Sequence, residues 1–560
     1  MGKKKKKKKK GGLSRALASS SKGREQSPLR PKYVEKKPPC QATCPSGNNI
    51  REFVRTIAQA ERVGQSNEEA LERAWQVYTN TSPFPSVCGR VCPAPCETEC
   101  NRKELEGAVS INKVERAIGD YGVEKGLGLK MLTEEKKPQK VAVIGGGPSG
   151  FSCAYQLARR GYGATVFEAL DKPGGMLRWG IPGYRLPESV LDAEIQKILD
   201  LGVELKCGVK VGKDVSIDEL QQSYDAIYVA LGAQQGVTLG VDGEEAPNVF
   251  SGVDFLSRFH HGEQLDLGSD VVVIIVGGGD TAIDAARICK RLGANVTVLY
   301  RRTLEEMPAI KEEVEEAIEE GIKIEFLAAP TGFKKEGNLV TAMRCIRMEL
   351  GEPDDSGRRR PVPIEGSEFE IPASAVISAI SQKPDFSGFE SLLDGKWISI
   401  DDQGATKVDG IWAGGDVAQL DLVTTAVGHG RRAAEAIERK FLGTAAEPDN
   451  MPVIRTDKMR LDHYEKAERQ EPASLNVDER LGDVEKEVNL GLAAGQVIEE
   501  SRRCMSCGMC FDCEKCWLFC QDQAIDKPLE KGLIYKFKLE NCTGCKKCAE
   551  ECPCGFIEMH

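Results

Sequence analysis

At 560 residues, with 41% apolar side chains, the chain has room for three or four globular domains. A net charge of −10 argues against a nucleic-acid-binding body, and no stretch nears the ~18 uncharged apolar residues of a membrane span. The twenty-one cysteines gather at the two ends, which in a large chain with Cys-x2-Cys spacings fits thiolate ligands in a reducing cytoplasm better than disulfides.

The start, MGKKKKKKKKGG, is a charge run without the apolar segment that a signal peptide requires. With the Ser-, Lys- and Pro-rich stretch after it, residues 1–39 read as a disordered, solvated tail. A helical segment, residues 40–137, then carries Cys40, Cys44, Cys88, Cys92, Cys96 and Cys100, mostly at x3 spacings. A cubane [4Fe-4S] cluster takes four thiolates, and Cys-Pro is a common final ligand context. Zinc sites more often use paired Cys-x2-Cys or Cys/His mixtures, and no histidine lies here. Six thiols make one full cube with two to spare, so one or two clusters are expected.

The run KVAVIGGGPSG reads as a buried parallel strand entering a glycine loop and a helix. Gly145 permits the tight turn, Gly147 lets the backbone approach a pyrophosphate, and Gly150 lets helix and strand pack closely. Pro148 and Ser149 open the helix, whose unpaired N–H groups favour phosphate. After the next strand, Glu168 stands where an acid would accept from a ribose. The following DKPGGMLRWGIPGYRLP cannot be a helix interior and reads as a loop along the cofactor.

A second such unit begins at Val271. Gly277 and Gly279 hold the glycine positions, Ala282 replaces the third, and Asp280 and Thr281 open the helix. Its second strand ends in Arg301 and Arg302 where the first unit has Glu168. An acid repels a 2′-phosphate and arginines bind one. The first site therefore suits FAD, and the second suits NADP(H) with NAD(H) still open. Residues 307–321 read as an acidic amphipathic helix with a solvated outer face. GIWAGGDVAQ places Gly415 and Asp416 at a strand end, within reach of a ribityl chain or phosphate-bound water. His429 reads as structural.

Residues 443–503 read as a polar connector with one helix over 483–503. The ferredoxin-type segment, 504–560, repeats C-x2-C-x2-C-x3-C twice. In two-cluster ferredoxins the fourth cysteine of each run serves the other cluster. Cys510, Cys513, Cys516 and Cys552 are thus expected to hold one cubane, and Cys542, Cys545, Cys548 and Cys520 the other. Cys504, Cys507 and Cys554 are left over, as possible alternative ligands.

In this order, the N-terminal cysteines, GGGPSG, GGMLRWGIPGYRLP, GGGDTAIDAAR, YRR and AGGD resemble the small subunit of glutamate synthase and its FAD- and pyridine-nucleotide-binding relatives, over Cys40 to Leu442. The resemblance implies an α/β architecture of two Rossmann-like domains, one inserted in the other, behind a helical iron–sulfur domain and ahead of a bacterial ferredoxin-type domain. It divides the middle into an FAD domain, 138–255 plus 375–442, and an NAD(P) domain, 256–374. It also carries Gly145, Gly147, Gly150, Glu168, Gly175 and Asp416 over as flavin contacts, and Gly277, Gly279, Asp280, Arg301 and Arg302 as nucleotide contacts; Met176, next to Gly175 in the loop along the cofactor, is expected to bind there too. The family commonly has further cysteines before Cys40, and this chain has none there. The ferredoxin tail resembles that of the DsrL-type flavoproteins that serve dissimilatory sulfite reductase.

These features together imply a cytoplasmic NAD(P)H:acceptor oxidoreductase. Hydride passes between NAD(P)(H) and FAD, and single electrons pass through the clusters to or from a partner protein. No acid–base residue is needed for the hydride step, so no catalytic residue is assigned. The tail resemblance implies dissimilatory sulfite reductase as partner. Glutamate synthase, a 2-oxoacid:ferredoxin oxidoreductase and a bifurcating transhydrogenase are the alternatives. A disulfide reductase would need a redox Cys-x2-Cys near the flavin, and none lies between Cys100 and Cys504.

Overall fold

The computed structural model describes residues 27–263, 267–354 and 357–560. The lysine run lies outside them. The chain forms two compact bodies. The larger comprises Cys40–Asn450 and Ala467–Cys504, and the smaller comprises the chain up to Pro39, Met451–Lys466 and Met505–His560.

Two parallel sheets organise the larger body. The first runs Ile411–Ala413, Ala226–Val229, Lys140–Ile144, Gly163–Phe167, Glu204–Lys206. Val141 to Ile144 are all buried, because helices cover both faces of a parallel sheet. One cover is the helix Pro148–Ala158, which packs on Val423–Leu442. The second sheet runs Lys323–Phe326, Asn295–Tyr300, Val272–Val276, Ala375–Ser378, Val249–Ser251. Since Ile411–Ala413 returns to the first sheet after the second is complete, one domain is inserted in the other.

The junctions differ from the expected 255/256 and 374/375. Val249–Ser251 and Ala375–Ser378 pair with each other in the second sheet. The crossing lies at a short antiparallel pair, Gln382 opposite Gly236 and Lys383 opposite Gln235. The inserted domain also carries an antiparallel sheet over Ala328–Pro372.

The N-terminal cysteines sit among the helices Pro39–Thr43, Ile50–Ala58, Asn67–Thr79, Pro85–Val91, Pro95–Thr98 and Ile111–Glu124. Ser66 and Glu69 form a capping box at the third helix, a device that contributes about 1 kcal/mol. The fourth is capped from a distance. Glu194 accepts from the Ser86 and Val87 N–H groups at 2.7 and 3.1 Å. This fixes the helix that carries Cys88.

The expected connector is not a free linker. Its second half belongs to the larger body, where Ala494–Arg502 packs on Ile50–Ala58. That helix is shorter than 483–503 because Gly491 adopts φ +75, in the left-handed region. Upstream the chain bends over 484–486, and Val488 N–H bonds the Tyr184 carbonyl. The acidic helix, Lys311–Glu319, is not merely solvated either. Glu313 and Glu316 turn inward and, with Glu320, pair with the buried guanidinium of Arg287.

In the smaller body, residues 27–39 are ordered, contrary to the expected tail. Pro31–Tyr33 pairs antiparallel with Ile557–Met559. Tyr33 explains why: its ring stacks on Phe537 at 4.5 Å and Phe556 at 4.9 Å, contacts of about 0.5–1.5 kcal/mol each. The two cysteine runs fold alike. Each has a one-turn helix, Lys515–Leu518 and Lys547–Glu550, preceded by a residue at φ 67.

Candidate functional site

A cleft of about 660 Å³ in the larger body is lined from both sheets. Gly145, Gly147, Pro148, Ser149, Glu168 and Gly175 line it from the first domain, with Met176, Gly415 and Asp416. Asp280 and Thr281 line it from the second. Gly150, Gly277, Gly279, Arg301 and Arg302 stand outside that lining.

The glycines divide their roles by geometry. Gly145 has φ +108, and a Cβ there would meet the Ala230 carbonyl oxygen at 2.2 Å. A Cβ on Gly150 would meet the Gly145 oxygen at 2.0 Å, so helix and strand touch through hydrogen alone. At Gly147 the nearest atom would be 3.9 Å away, leaving bare backbone toward the cleft. In the second loop Gly277, at φ +151, abuts the Ala379 carbonyl, while Gly279 faces nothing within 4 Å. Each helix that follows is long enough to present an N-terminal dipole and unpaired N–H groups to a phosphate.

Glu168 is buried and held by its neighbours. Its two oxygens accept from Gly146 N–H at 2.7 Å and Leu170 N–H at 2.9 Å. Burial pushes its pKa up, and these bonds oppose the shift. The carboxylate is therefore fixed at the strand end, where a ribose could meet it. On the far wall Gly415, at φ +71, packs close to Ser149, and Ser149 Oγ lies 2.7 Å from Tyr228 OH. His429 Nδ1 accepts from Gly415 N–H at 3.1 Å, so this histidine shapes the turn. Burial raises the Asp416 carboxyl to about 6.

The two arginines after the second unit part company. Arg301 is exposed. Arg302 is buried, paired with Asp354 at 2.6 Å and donating to the Arg359 carbonyl at 2.7 Å. Only Arg301 presents its guanidinium to solvent at the strand end. Arg302 instead staples the neighbouring hairpin.

One feature of the cleft escaped the sequence reading. In the loop after Gly175, Tyr184 OH and Arg185 Nη1 donate to Asp284 at 3.1 and 2.8 Å. Arg287 and Arg291 lie over the Tyr184 ring at 4.6 and 3.8 Å. The loop of the first domain is thereby fastened to the nucleotide helix of the second, one turn from Asp280.

Two cysteine pockets lie in the smaller body. Cys510, Cys513, Cys516 and Cys552 line one, with Cys554, Tyr33 and Phe556. Cys520, Cys542, Cys545 and Cys548 line the other. Backbone N–H groups point at the sulfurs: Asp512 to Cys510 and Gly544 to Cys542 at 3.4 Å, Phe556 to Cys552 at 3.3 Å, Ala524 to Cys520 at 3.2 Å. Hydrogen bonds to ligating sulfurs are among the features that set a cluster's potential. Cys554, beside Cys552 at 3.8 Å, draws the Cys552 thiol below its usual range. The donor set fits an iron–sulfur cluster in each pocket.

In the N-terminal helices, Cys44, Cys88, Cys92 and Cys96 gather around the carboxyl of Glu115, which acts electrostatically on all four. Glu115 accepts from Tyr78 OH, and burial raises it to about 8. Ala94 N–H donates to Cys92 Sγ at 3.4 Å. Glu115 is a polar residue on the buried face of its helix beside Val114 and Ile118, a position that sequence alone hides. Cys100 is influenced by different groups, chiefly the Val109 N–H, the Arg102 N–H, Glu97 and Arg503. None of the described helices is long and apolar enough to cross a membrane.

The family model for pyridine nucleotide-disulphide oxidoreductases matches residues 139–430, and that for dihydropyrimidine dehydrogenase domain II, 4Fe-4S cluster, matches residues 33–127. The NADPH-Fe(3+) oxidoreductase subunit beta of Geobacter sulfurreducens is 37% identical over 513 residues, 84% of this chain and 75% of that protein. The NADP(+)-dependent formate dehydrogenase subunit beta of Moorella thermoacetica is 39% identical, over 72% of this chain and 59% of that one. The glutamate synthase [NADPH] small chain of Escherichia coli is 36% identical, over 71% of this chain and 88% of that one. These matches agree with the two inserted sheets and the cysteine-bearing helices: the chain belongs to the pyridine nucleotide-disulphide oxidoreductase family, as an oxidoreductase that binds FAD, NAD(P)H and a [4Fe-4S] cluster.

Proposed function

We propose that the chain carries electrons between NADPH and a protein redox partner, by way of FAD and [4Fe-4S] clusters, and that the partner is dissimilatory sulfite reductase. The observation that carries the route is the single cleft, lined by both glycine-loop helices and by Glu168 and Asp416. In this reading Gly145 to Gly150, Glu168, Gly175, Met176, Gly415 and Asp416 hold FAD. Gly277, Gly279, Asp280 and Thr281 hold the nicotinamide nucleotide, and exposed Arg301 meets its 2′-phosphate. FAD, when bound, supplies the exchange between a hydride and single electrons. The chain's own residues position the two nucleotides face to face and bury the exchange from water.

Cys510, Cys513, Cys516 and Cys552, and Cys542, Cys545, Cys548 and Cys520, hold two clusters that lead to the partner. Cys44, Cys88, Cys92 and Cys96, with Glu115 at hand, hold a third. Residues 139–430 contain no Cys-x2-Cys, which favours clusters over a disulfide as the flavin's electron partner. The choice of partner rests on the resemblance of the ferredoxin tail. A second reading, the subunit of a ferric-iron-reducing complex, is favoured by the length of the match to the Geobacter protein.

The test is to mix the purified holoprotein with NADPH and purified dissimilatory sulfite reductase without oxygen. Reduction of the sulfite reductase centres, needing both proteins, supports the first reading. Reduction of ferric citrate with an unchanged sulfite reductase supports the second.

A further inference from the structure

Of the cysteines in the two cysteine-rich ends, Cys40, Cys100 and Cys504 stay outside the three sets just assigned, as do Cys507 and Cys554 in the smaller body. The first two belong to the N-terminal cysteine-bearing helical region. The third stands at the head of the ferredoxin-type segment, where Cys504-x2-Cys507-x2-Cys510 has ligand spacing. Its packing points the other way. Cys504 belongs to the larger body, and both Cys40 and Cys504 pack on the core that contains buried Cys100. Cys510, Cys516, Cys520, Cys548, Cys552 and Cys554 belong to the separate core of the smaller body.

The residue just before Cys504 is tied to the Cys100 loop through both its backbone and its side chain. Cys504 N–H bonds the Ser501 carbonyl at 3.0 Å at the end of the helix Ala494–Arg502. The Arg503 carbonyl accepts from Arg102 Nη1 at 2.7 Å, two residues past Cys100. The fully buried Arg503 side chain grips the same loop, donating to Gly107 O at 2.8 Å and Ala108 O at 2.9 Å. Val109, next in line, turns its N–H toward the Cys100 sulfur. Ser501 is fully buried, and its Oγ has no hydrogen-bond partner. A buried hydroxyl without an acceptor costs about 1–3 kcal/mol, and a cluster sulfide is an acceptor that would relieve it.

We propose that Cys504 is a ligand of a second N-terminal [4Fe-4S] cluster, together with Cys40 and Cys100. This inference rests on the reading of the N-terminal helices as an iron–sulfur domain. This brings a ligand to the N-terminal helices from the C-terminal side of the larger body. It also gives the tie of Arg503 to the 100–109 loop a purpose, because that tie fixes where Cys504 stands.

The test uses the full-length holoprotein and the variants Cys504→Ser, Cys40→Ser, Cys100→Ser and Cys510→Ser, assayed for iron, acid-labile sulfide and the electron paramagnetic resonance spectrum after reduction. The expected result is that C504S, C40S and C100S each lose the same signal and about four irons, a cubane's content. The signal lost in C510S persists in all three. If C40S and C100S lose iron while C504S does not, or if C504S loses the C510S signal, the proposal falls and the N-terminal reading stands. If none of the three loses iron, both fall. Should C504S fail to retain flavin, wild-type holoprotein is alkylated before and after iron chelation. Cys504 is expected to become reactive together with Cys40 and Cys100, with buried Cys153 as the unchanged reference. Reactivity of Cys504 before chelation overturns the proposal.

Discussion

Arg185 and Asp284 form a buried ion pair, Nη1 to Oδ2 at 2.8 Å, across the two dinucleotide domains. Arg185 belongs to the loop that follows Gly175, and Asp284 to the helix that starts at Asp280. Both line the cleft in which flavin and nicotinamide are expected to meet. Glu313 adds a second carboxylate to Arg185 at 3.2 Å. Removing one partner from a buried pair costs up to about 3–5 kcal/mol, and Glu313 keeps part of the compensation for Arg185. Asp284→Asn is therefore expected to lower Tm and to slow flavin reduction by NADPH in stopped flow. An unchanged rate with a lowered Tm would leave the pair a purely structural role.

Arg301 and Arg302 are expected to separate in their effects. A charge-assisted hydrogen bond to a phosphate is worth about 1.5–3 kcal/mol. Arg301→Ala should thus lower kcat/KM for NADPH about tenfold or more while sparing NADH. Arg302→Ala should lower stability, since it removes the ion pair with Asp354 and the bond to the Arg359 carbonyl, and should affect both nucleotides alike. Equal losses with NADPH and NADH in R301A would remove the 2′-phosphate from that side chain.

Gly150 tests the flavin loop sterically. A Cβ there would stand 2.0 Å from the Gly145 carbonyl oxygen, so Gly150→Ala must push the helix off the strand. The expected outcome is a protein purified with little flavin and with iron content retained. Normal flavin content in G150A would show that the contact yields without disturbing the site.

His260 gives a pH signature. Burial depresses its pKa from an ordinary 6.5 to about 4, so the folded state holds it neutral. Its contribution to stability is present above pH 6.5 and is lost as pH falls through 6.5 toward 4. The unfolded chain takes up the proton that the folded one refuses. The loss is about 1.4 kcal/mol per pH unit within that window. Relative to His260→Gln, the wild type should lose Tm between pH 6.5 and 4. Parallel curves would contradict the assignment.

Local pattern carried much of this fold in the sequence. The apolar runs entering Gly145 and Gly277 belong to buried parallel strands, and short-range sterics decide such turns. The spacing of the ferredoxin cysteines is local too, and the thiols it groups line common pockets. What stayed hidden depends on distant partners. Val249–Ser251 is a short, half-buried strand that nothing nearby assigns to one sheet or the other; its pairing with Ala375–Ser378 does. Arg302 looks like Arg301 until Asp354 folds against it. Glu115 looks like a surface glutamate until the fold buries it against Tyr78. Residues 27–39 have the composition of a tail, and only the strand at the far end of the chain gives Tyr33 its stacking partner Phe556.

The most direct measurement is an anaerobic titration of the purified protein with NADPH, followed by visible absorbance and by electron paramagnetic resonance. The account predicts that flavin absorbance bleaches and that signals of reduced [4Fe-4S] clusters appear at the expense of NADPH. It also predicts that the signals assigned to the ferredoxin-type pockets vanish in Cys516→Ser and Cys548→Ser while flavin bleaching persists. Bleaching of the flavin with every cluster left oxidised, however much NADPH is added at a potential the clusters can accept, would contradict the route from hydride to single electrons.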